Sequence, residues 1–208
     1  MVTSLPAWAR LRAAMGVLAL VAVLGAQPAG AQSAGIGDDR PVIAALDTGR
    51  RAELQRAVDA QLAASRGGRQ SAANEITFGG GVVMVLPLPG EERAPVWSRA
   101  RGTRSATADW KGCPDDTSPS YYCFYADINW GGRRLQFSAL YEEKPVMFSD
   151  YGFQDQTSSW VNTGKFAIIV DGYGGGGQWS LLWREPPASL SASVQYGDTA
   201  QRFWAVRN

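Results

Sequence analysis

The chain has 208 residues, with 20 Lys and Arg against 19 Asp and Glu and no histidine. A near-neutral charge lacks the concentrated basic face that nucleic-acid binding needs. The lack of histidine excludes Ser-His-Asp and Cys-His catalysis and the histidine-based zinc hydrolases. What remains is a chain sized for one domain and an appendage, with no constellation of catalytic groups, so an enzyme is not expected.

Residues 1–31 read as a signal peptide: Arg10 and Arg12 ahead of an apolar run, Met15 to Leu24, then Ala29-Gly30-Ala31 as the cleavage site before Gln32. The run is shorter than the roughly 20 residues a bilayer span needs, and no later segment is apolar enough to cross. The expected product is secreted and extracellular, free of the membrane once the signal is removed, monomeric, and slightly negative after losing Arg10 and Arg12.

Residues 32–88 read as a leader segment. Ala52, Leu54, Val58 and Leu62 recur at helical spacing among charged neighbours, and Gly67-Gly68 closes the helix. From Glu75 to Leu88 the pattern becomes a hairpin: Ile76 and Phe78, a Gly79-Gly80-Gly81 turn, then Val82 to Leu86. A lone hairpin is marginal in water, so it is expected to dock on the helix or on the main domain. Residues 89–112, rich in Pro, Gly, Ser, Thr and Arg, read as a solvated linker.

From 113 to 208 the chain is β in character. Tyr122–Tyr125, Arg134–Ser138, Phe166–Val170, Trp179–Trp183 and Phe203–Val206 are short aromatic and β-branched runs separated by Gly, Asn and Asp. That spacing fits a Greek-key sandwich. Cys113 and Cys123 are the only cysteines. In an oxidising compartment they are expected to form a disulfide worth about 2–3 kcal/mol; a zinc site is the poorer alternative, with two thiolates and no imidazole.

Two stretches carry the chemistry. Tyr125-Ala-Asp-Ile-Asn-Trp130-Gly-Gly132 places two aromatics around a bent hairpin whose glycine supplies a backbone angle side chains resist. Gln154-Asp155-Gln156-Thr157-Ser158-Ser159 puts a carboxylate, carbonyls and hydroxyls on one turn, the hard oxygen donors that calcium uses. The same groups also serve to cap a turn through backbone hydrogen bonds, and the two readings stand side by side.

The Tyr-x4-Trp-x-Gly hairpin and the acidic-hydroxyl turn resemble the βγ-crystallin Greek-key motif. With the signal peptide and the CP…C opening, the chain resembles the secreted bacterial metalloproteinase inhibitors that use this fold. The resemblance covers Cys113 to Asn208, and residues 32–88 are similar to the leader of that group. It implies a mainly β, βγ-crystallin-like Greek-key sandwich behind a helix and β-hairpin leader. A second, looser repeat keeps Tyr173 and Gly175, with Ile168 in the place of the first aromatic. Its loop, Gly197 to Arg202, keeps Asp198 but has Gln201 and Arg202 where hydroxyls belong.

By the same resemblance, one Ca2+ site would join Asp155, the Gln156 carbonyl and Ser158 to the hairpin near Asp171. A second would join Asp198 to the hairpin near Asp127. At most one weak calcium site is expected, because Arg202 falls beside the second. The expected function is inhibition of an extracellular protease by a rigid surface loop, for which the Cys113–Cys123 loop, stiffened by Pro114 and Pro119, is the candidate. The small inhibitors of this group carry two disulfides and this chain has cysteines for one. The alternative is a non-catalytic calcium- or glycan-binding module. Gly174–Gly177 lacks the Lys-Ser/Thr of a phosphate cradle. Adjacent acids such as Asp115-Asp116 and Glu142-Glu143 cannot flank a sugar bond. Of the tryptophans beyond residue 31, Trp179 and Trp183 lie four apart and are expected to share a strand face.

Overall fold

The Asp47 side chain accepts a hydrogen bond from the Arg50 amide at 2.8 Å and starts the main helix, α2 (Thr48–Ala64), behind a single short turn, α1 (Pro41–Ala44). The expected stripe is real: Leu54 and Val58 are buried and Leu62 packs on the core. The helix ends slightly before the two glycines, with Ser65 as its cap. The computed structural model describes residues 41–96, 110–114, 121–138, 144–174 and 176–207, all within one compact unit, Ala34–Asn208. The expected signal peptide, most of the linker (97–109) and the middle of the cysteine loop (115–120) lie outside the described residues.

Eleven strands follow among the described residues: β1 (Arg69–Ala72), β2 (Glu75–Phe78), β3 (Val82–Val85), β4 (Tyr122–Asp127), β5 (Gly131–Phe137), β6 (Val146–Met147), β7 (Ser159–Asn162), β8 (Ala167–Tyr173), β9 (Trp179–Glu185), β10 (Ser189–Ser191) and β11 (Arg202–Val206). They form two antiparallel sheets, ordered β1-β2-β3-β5-β4-β7-β10 and β6-β11-β8-β9. The protein is mainly β. Each half of the domain sends its third strand across: β6 pairs with β11 of the second half, and β10 pairs with β7 of the first.

The leader hairpin joins the main sheet directly. β3 pairs with β5, setting Val82 opposite Phe137 and Val85 opposite Arg134. Ile76, Phe78, Val82, Met84 and Leu86 enter the same buried cluster as Phe124, Phe137, Phe148 and Phe203. The aromatic centre is tight, with Phe203 4.8 Å from Phe124 and 4.6 Å from Phe137 between ring centroids. Such rings bury large areas and gain further from edge-to-face contact. The start of the expected linker is also strapped down: the Ala94 amide donates to the Gly132 carbonyl and the Gly132 amide to the Glu92 carbonyl.

β4 is buried on both faces. Tyr122 and Phe124 point into the main core, whereas Cys123 and Tyr125 face a second cluster with Cys113, Val161 and the covering Trp110 and Trp130. Period-2 alternation alone would leave that second face to water; the segment ending in Cys113 covers it.

Trp179 and Trp183 do not share a face. The β8–β9 register slips between Val170, opposite Trp183, and Asp171, opposite Leu181. One extra residue in a strand reverses the side that later residues face. Trp183 therefore packs against the core and donates its indole N–H to Glu185 Oε1 at 3.1 Å. Trp179 lies on the outer surface, 36% exposed.

Glu185 is fully buried, and its Oε2 has no hydrogen-bond partner. Burial pushes its carboxyl well above the usual range, opposed in part by the Trp183 hydrogen bond. The folded chain thus binds this proton more tightly than the unfolded chain does. The resulting stabilisation is full below the ordinary carboxylate range and declines as pH climbs toward the raised folded value. Glu185→Gln keeps an oxygen for Trp183 and carries no charge at any pH. We expect it to melt about 2–4 °C above the parent at neutral pH and to match the parent in acid. Thermal melts across about pH 4–8 read both.

Candidate functional site

The acidic-hydroxyl turn lies between the first hairpin and the loop of the second repeat. Ser159 Oγ donates to the Asp127 carbonyl at 2.7 Å and accepts the Trp130 amide at 3.0 Å, which holds the hairpin closed. Tyr125 is buried and its hydroxyl donates to the Lys111 carbonyl. Lys111 Nζ lies 4.9 Å from the Trp130 ring. Gly132 adopts φ +67°, and a Cβ there would stand 2.7 Å from Asp127 Oδ2. Glycine is thus required by both backbone angle and space.

The two loops answer each other across the domain. Asp155 and Asp198 sit at matching positions of the two repeats, both with positive φ (56° and 61°). The Asp155 amide donates to the Ala200 carbonyl at 2.9 Å, and the Asp198 amide to the Thr157 carbonyl at 3.4 Å. Thr157 and Ala200, also at matching positions, are both fully buried. The looser second repeat therefore keeps the geometry of the first.

The oxygens group differently from the sequence expectation. The Ser158 hydroxyl donates to the Ala126 carbonyl at 2.8 Å and lies 3.1 Å from Asp198 Oδ1, so Ser158 joins Asp198 and the hairpin of Asp127, not Asp171. Asp155 Oδ2 accepts from Gln154 Nε2, and its buried Oδ1 has no partner. The Gln156 side-chain amide donates to the Gly152 carbonyl at 3.4 Å. Among the described residues no group of three or more acids, histidines or cysteines gathers around one point.

Asp171 is taken by a cation already in the chain. Arg202 Nη2 and Nε lie 2.8 and 3.1 Å from Asp171 Oδ2, with the two side chains 20% and 7% exposed. The guanidinium also stacks 3.7 Å over the Trp179 ring. Arg202 occupies the second-repeat position equivalent to Ser159. It does the same work by other chemistry: where Ser159 ties loop to hairpin with a hydroxyl, Arg202 does so with an ion pair. The sequence suggested Arg202 beside the Asp198 loop, because the β11–β8 pairing that sets Arg202 opposite Asp171 is invisible in one dimension.

Two further arginines went unread. Arg134 is 1% exposed and holds Gln136 Oε1 and the Pro95 carbonyl at 3.2 and 3.3 Å. Burial lowers its pKa, against the nearby Tyr125 and Glu75. Arg133 lines a cleft of about 650 Å³ between α2 and the first hairpin, with Ala57, Gln61, Leu88 and Asp127. Its Nε is buried without a hydrogen-bond partner, and burial lowers its pKa, against Asp127. An alternating strand with Arg133-Arg134 predicts one arginine per face, but nothing local says that both faces are covered.

Cys113 and Cys123 form the disulfide, with Cα atoms 5.8 Å apart, and both residues are buried. The bond ties the covering segment to β4. Changing both cysteines to serine is expected to lower stability by about 2–3 kcal/mol, read as a drop in urea midpoint. An unchanged midpoint would show that packing alone holds the segment.

No curated protein and no solved structure matches the chain. A family model does match, and it describes inhibitors rather than enzymes. The matched stretch runs through the disulfide, the whole first repeat and β8, stopping just inside β9. Over residues 106–180 the chain matches the model of peptidase inhibitor family I36.

Proposed function

We propose that the protein is a secreted inhibitor of an extracellular protease, built on a βγ-crystallin-like Greek-key sandwich. The family I36 match carries the inhibitor reading. The fold reading is supported by the exchanged third strands, β6 and β10, and by the Tyr125–Trp130–Gly132 hairpin closed by Ser159. Protease–inhibitor pairs need a preorganised surface of modest area, which a small cross-linked sandwich provides. No helix among the described residues is long and apolar enough to cross a membrane, in keeping with an exported product.

The test is titration of residues 32–208 against a thermolysin-type metalloprotease and a subtilisin-type serine protease. Stoichiometric inhibition of one, persisting through preincubation, is expected and identifies the target class. An intact, folded protein that inhibits neither overturns the reading.

A calcium-binding module is the second reading. Ser158 Oγ, Asp198 Oδ1 and the Ala126 carbonyl converge within hydrogen-bond distance of the hydroxyl and suit a weak hard-cation site. The Asp171 side does not suit one, since Arg202 neutralises it. A calcium-dependent rise in Tm that Asp198→Asn abolishes, without protease inhibition, would favour this reading.

A further inference from the structure

Between α2 and the first hairpin the packing stays open. Val58 and Leu62 seat the helix on the core. Ala57, Ala60 and Ala64 recur along a neighbouring face and line the cleft of about 650 Å³, together with Pro87 and Leu88. Side chains this small leave room where larger ones would close the gap, and the opening has the size of a small-molecule site. A second opening of about 390 Å³ shares Pro87, Glu91, Asp127 and Gly132 with the first and extends it over the hairpin.

The walls are set in advance. At one end a Cβ on Gly152 would stand 2.8 Å from Gln61 Nε2 and 2.9 Å from the Ala64 carbonyl, so helix and loop touch there. Gln61 Nε2 also donates to the Tyr151 carbonyl at 2.8 Å. On the hairpin side the Gly132 amide donates to the Glu92 carbonyl at 2.7 Å. A preformed site loses little affinity to its own ordering.

The charges in the cleft lack partners within the chain. The Arg133 guanidinium lies 5.5 Å from the Phe153 ring centroid, forms no ion pair among the described residues, and keeps a buried Nε without a hydrogen bond. Asp127, Glu53 and Glu91 line the same cleft, also without ion pairs among the described residues. Asp127 is near enough to favour the charged form of Arg133, against the effect of burial, yet the two do not pair. A simple anion here would be repelled by the carboxylates, and a simple cation would leave Arg133 unanswered. A ligand carrying both charges satisfies both.

We propose that this cleft binds a small zwitterion of the amino-acid or short-peptide class, with its carboxylate on Arg133 and its ammonium beside Asp127 and Glu91. Arginine suits a carboxylate because it can offer two parallel N–H donors, and the alanine face of α2 takes the apolar body of the ligand. Peptide-bond hydrolysis is the class of reaction that yields such ligands. Because α2 lines one side and the hairpin the other, a bound ligand joins leader to sheet and stabilises the fold by mass action.

The experiment is calorimetric titration and thermal melting of residues 32–208 with Ala-Ala, its C-terminal amide, its N-acetyl form, and acetate. Ala-Ala is expected to bind at one site per chain and to raise Tm by about 3 °C or more at tenfold excess over Kd. The amide and the N-acetyl form, each lacking one charge, should bind about tenfold or more weakly. Arg133→Gln should abolish the preference for Ala-Ala over its amide and keep the preference over the N-acetyl form; Asp127→Asn should do the reverse. Each preference is a ratio within one protein, so it is read even where a variant's own Tm shifts. No binding of Ala-Ala up to about 10 mM, equal binding of its amide, or acetate binding as well as Ala-Ala overturns the proposal. Preferences that both variants leave intact would place the ligand elsewhere and overturn it too.

Discussion

Removing residues 32–88 will leave residues 89–208 without a cooperative fold. Val58, Ile76, Phe78, Val82, Met84 and Leu86 are buried in the same cluster as Phe124, Phe137, Phe148 and Phe203. Burying each such side chain contributes ~1.5–3 kcal/mol, so the six together rival the whole ~5–15 kcal/mol stability of a typical domain. The deletion would also strip β3 from β5 and open the seven residues of β5 as a new edge, an invitation to aggregation. The measurement is near-ultraviolet circular dichroism with a thermal melt. Loss of the aromatic signal and of a sharp transition is expected. A truncated protein that keeps both would show the helix and hairpin to be an accessory. Met84→Ala in the full chain isolates the packing, with an expected loss of about 2–5 kcal/mol in one unfolding transition shared by α2, the β2–β3 hairpin and the rest of the two sheets.

Arg202→Met will destabilise the protein by about 3 kcal/mol or more. Asp171 is nearly buried, and the Arg202 guanidinium is its ion-pair partner. Taking away one member of a buried pair leaves an uncompensated charge, which costs more than the pair itself contributes. The arginine also stacks on Trp179 and reaches toward Trp204, so part of the loss comes from packing. The double variant Asp171→Asn with Arg202→Met should recover much of the stability, because it removes the stranded carboxylate. Urea unfolding of the two singles and the double gives the coupling directly. Additive losses would show that the two side chains act independently and that Arg202 serves only as cover for Trp179.

Much of this architecture is local and was therefore readable. The α2 stripe, the triple-glycine hairpin and the five aromatic strand runs follow from periodicity and turn residues. The missed strands, β1, β6, β7 and β10, have two to four residues, too few for a pattern to repeat. Those strands nonetheless decide the topology, since β6 and β10 are the pair exchanged between sheets. The site was readable in its parts and not in its groupings. The sequence singled out Asp155, Ser158, Asp171 and Asp198 as candidate oxygen donors, whereas the structure sets Ser158 beside Asp198 and Asp171 against Arg202.

The sequence by itself determined that the chain is mainly β, that Cys113 and Cys123 pair, and that Gly132 shapes the first hairpin. These rest on residue chemistry and short-range spacing, which need no knowledge of distant contacts. Only the tertiary structure decided that the leader hairpin completes the main sheet, that Trp179 and Trp183 face opposite ways, and that Arg202 neutralises Asp171. Each of these depends on which strands become neighbours and in what register, and a one-residue slip there reverses every side chain beyond it.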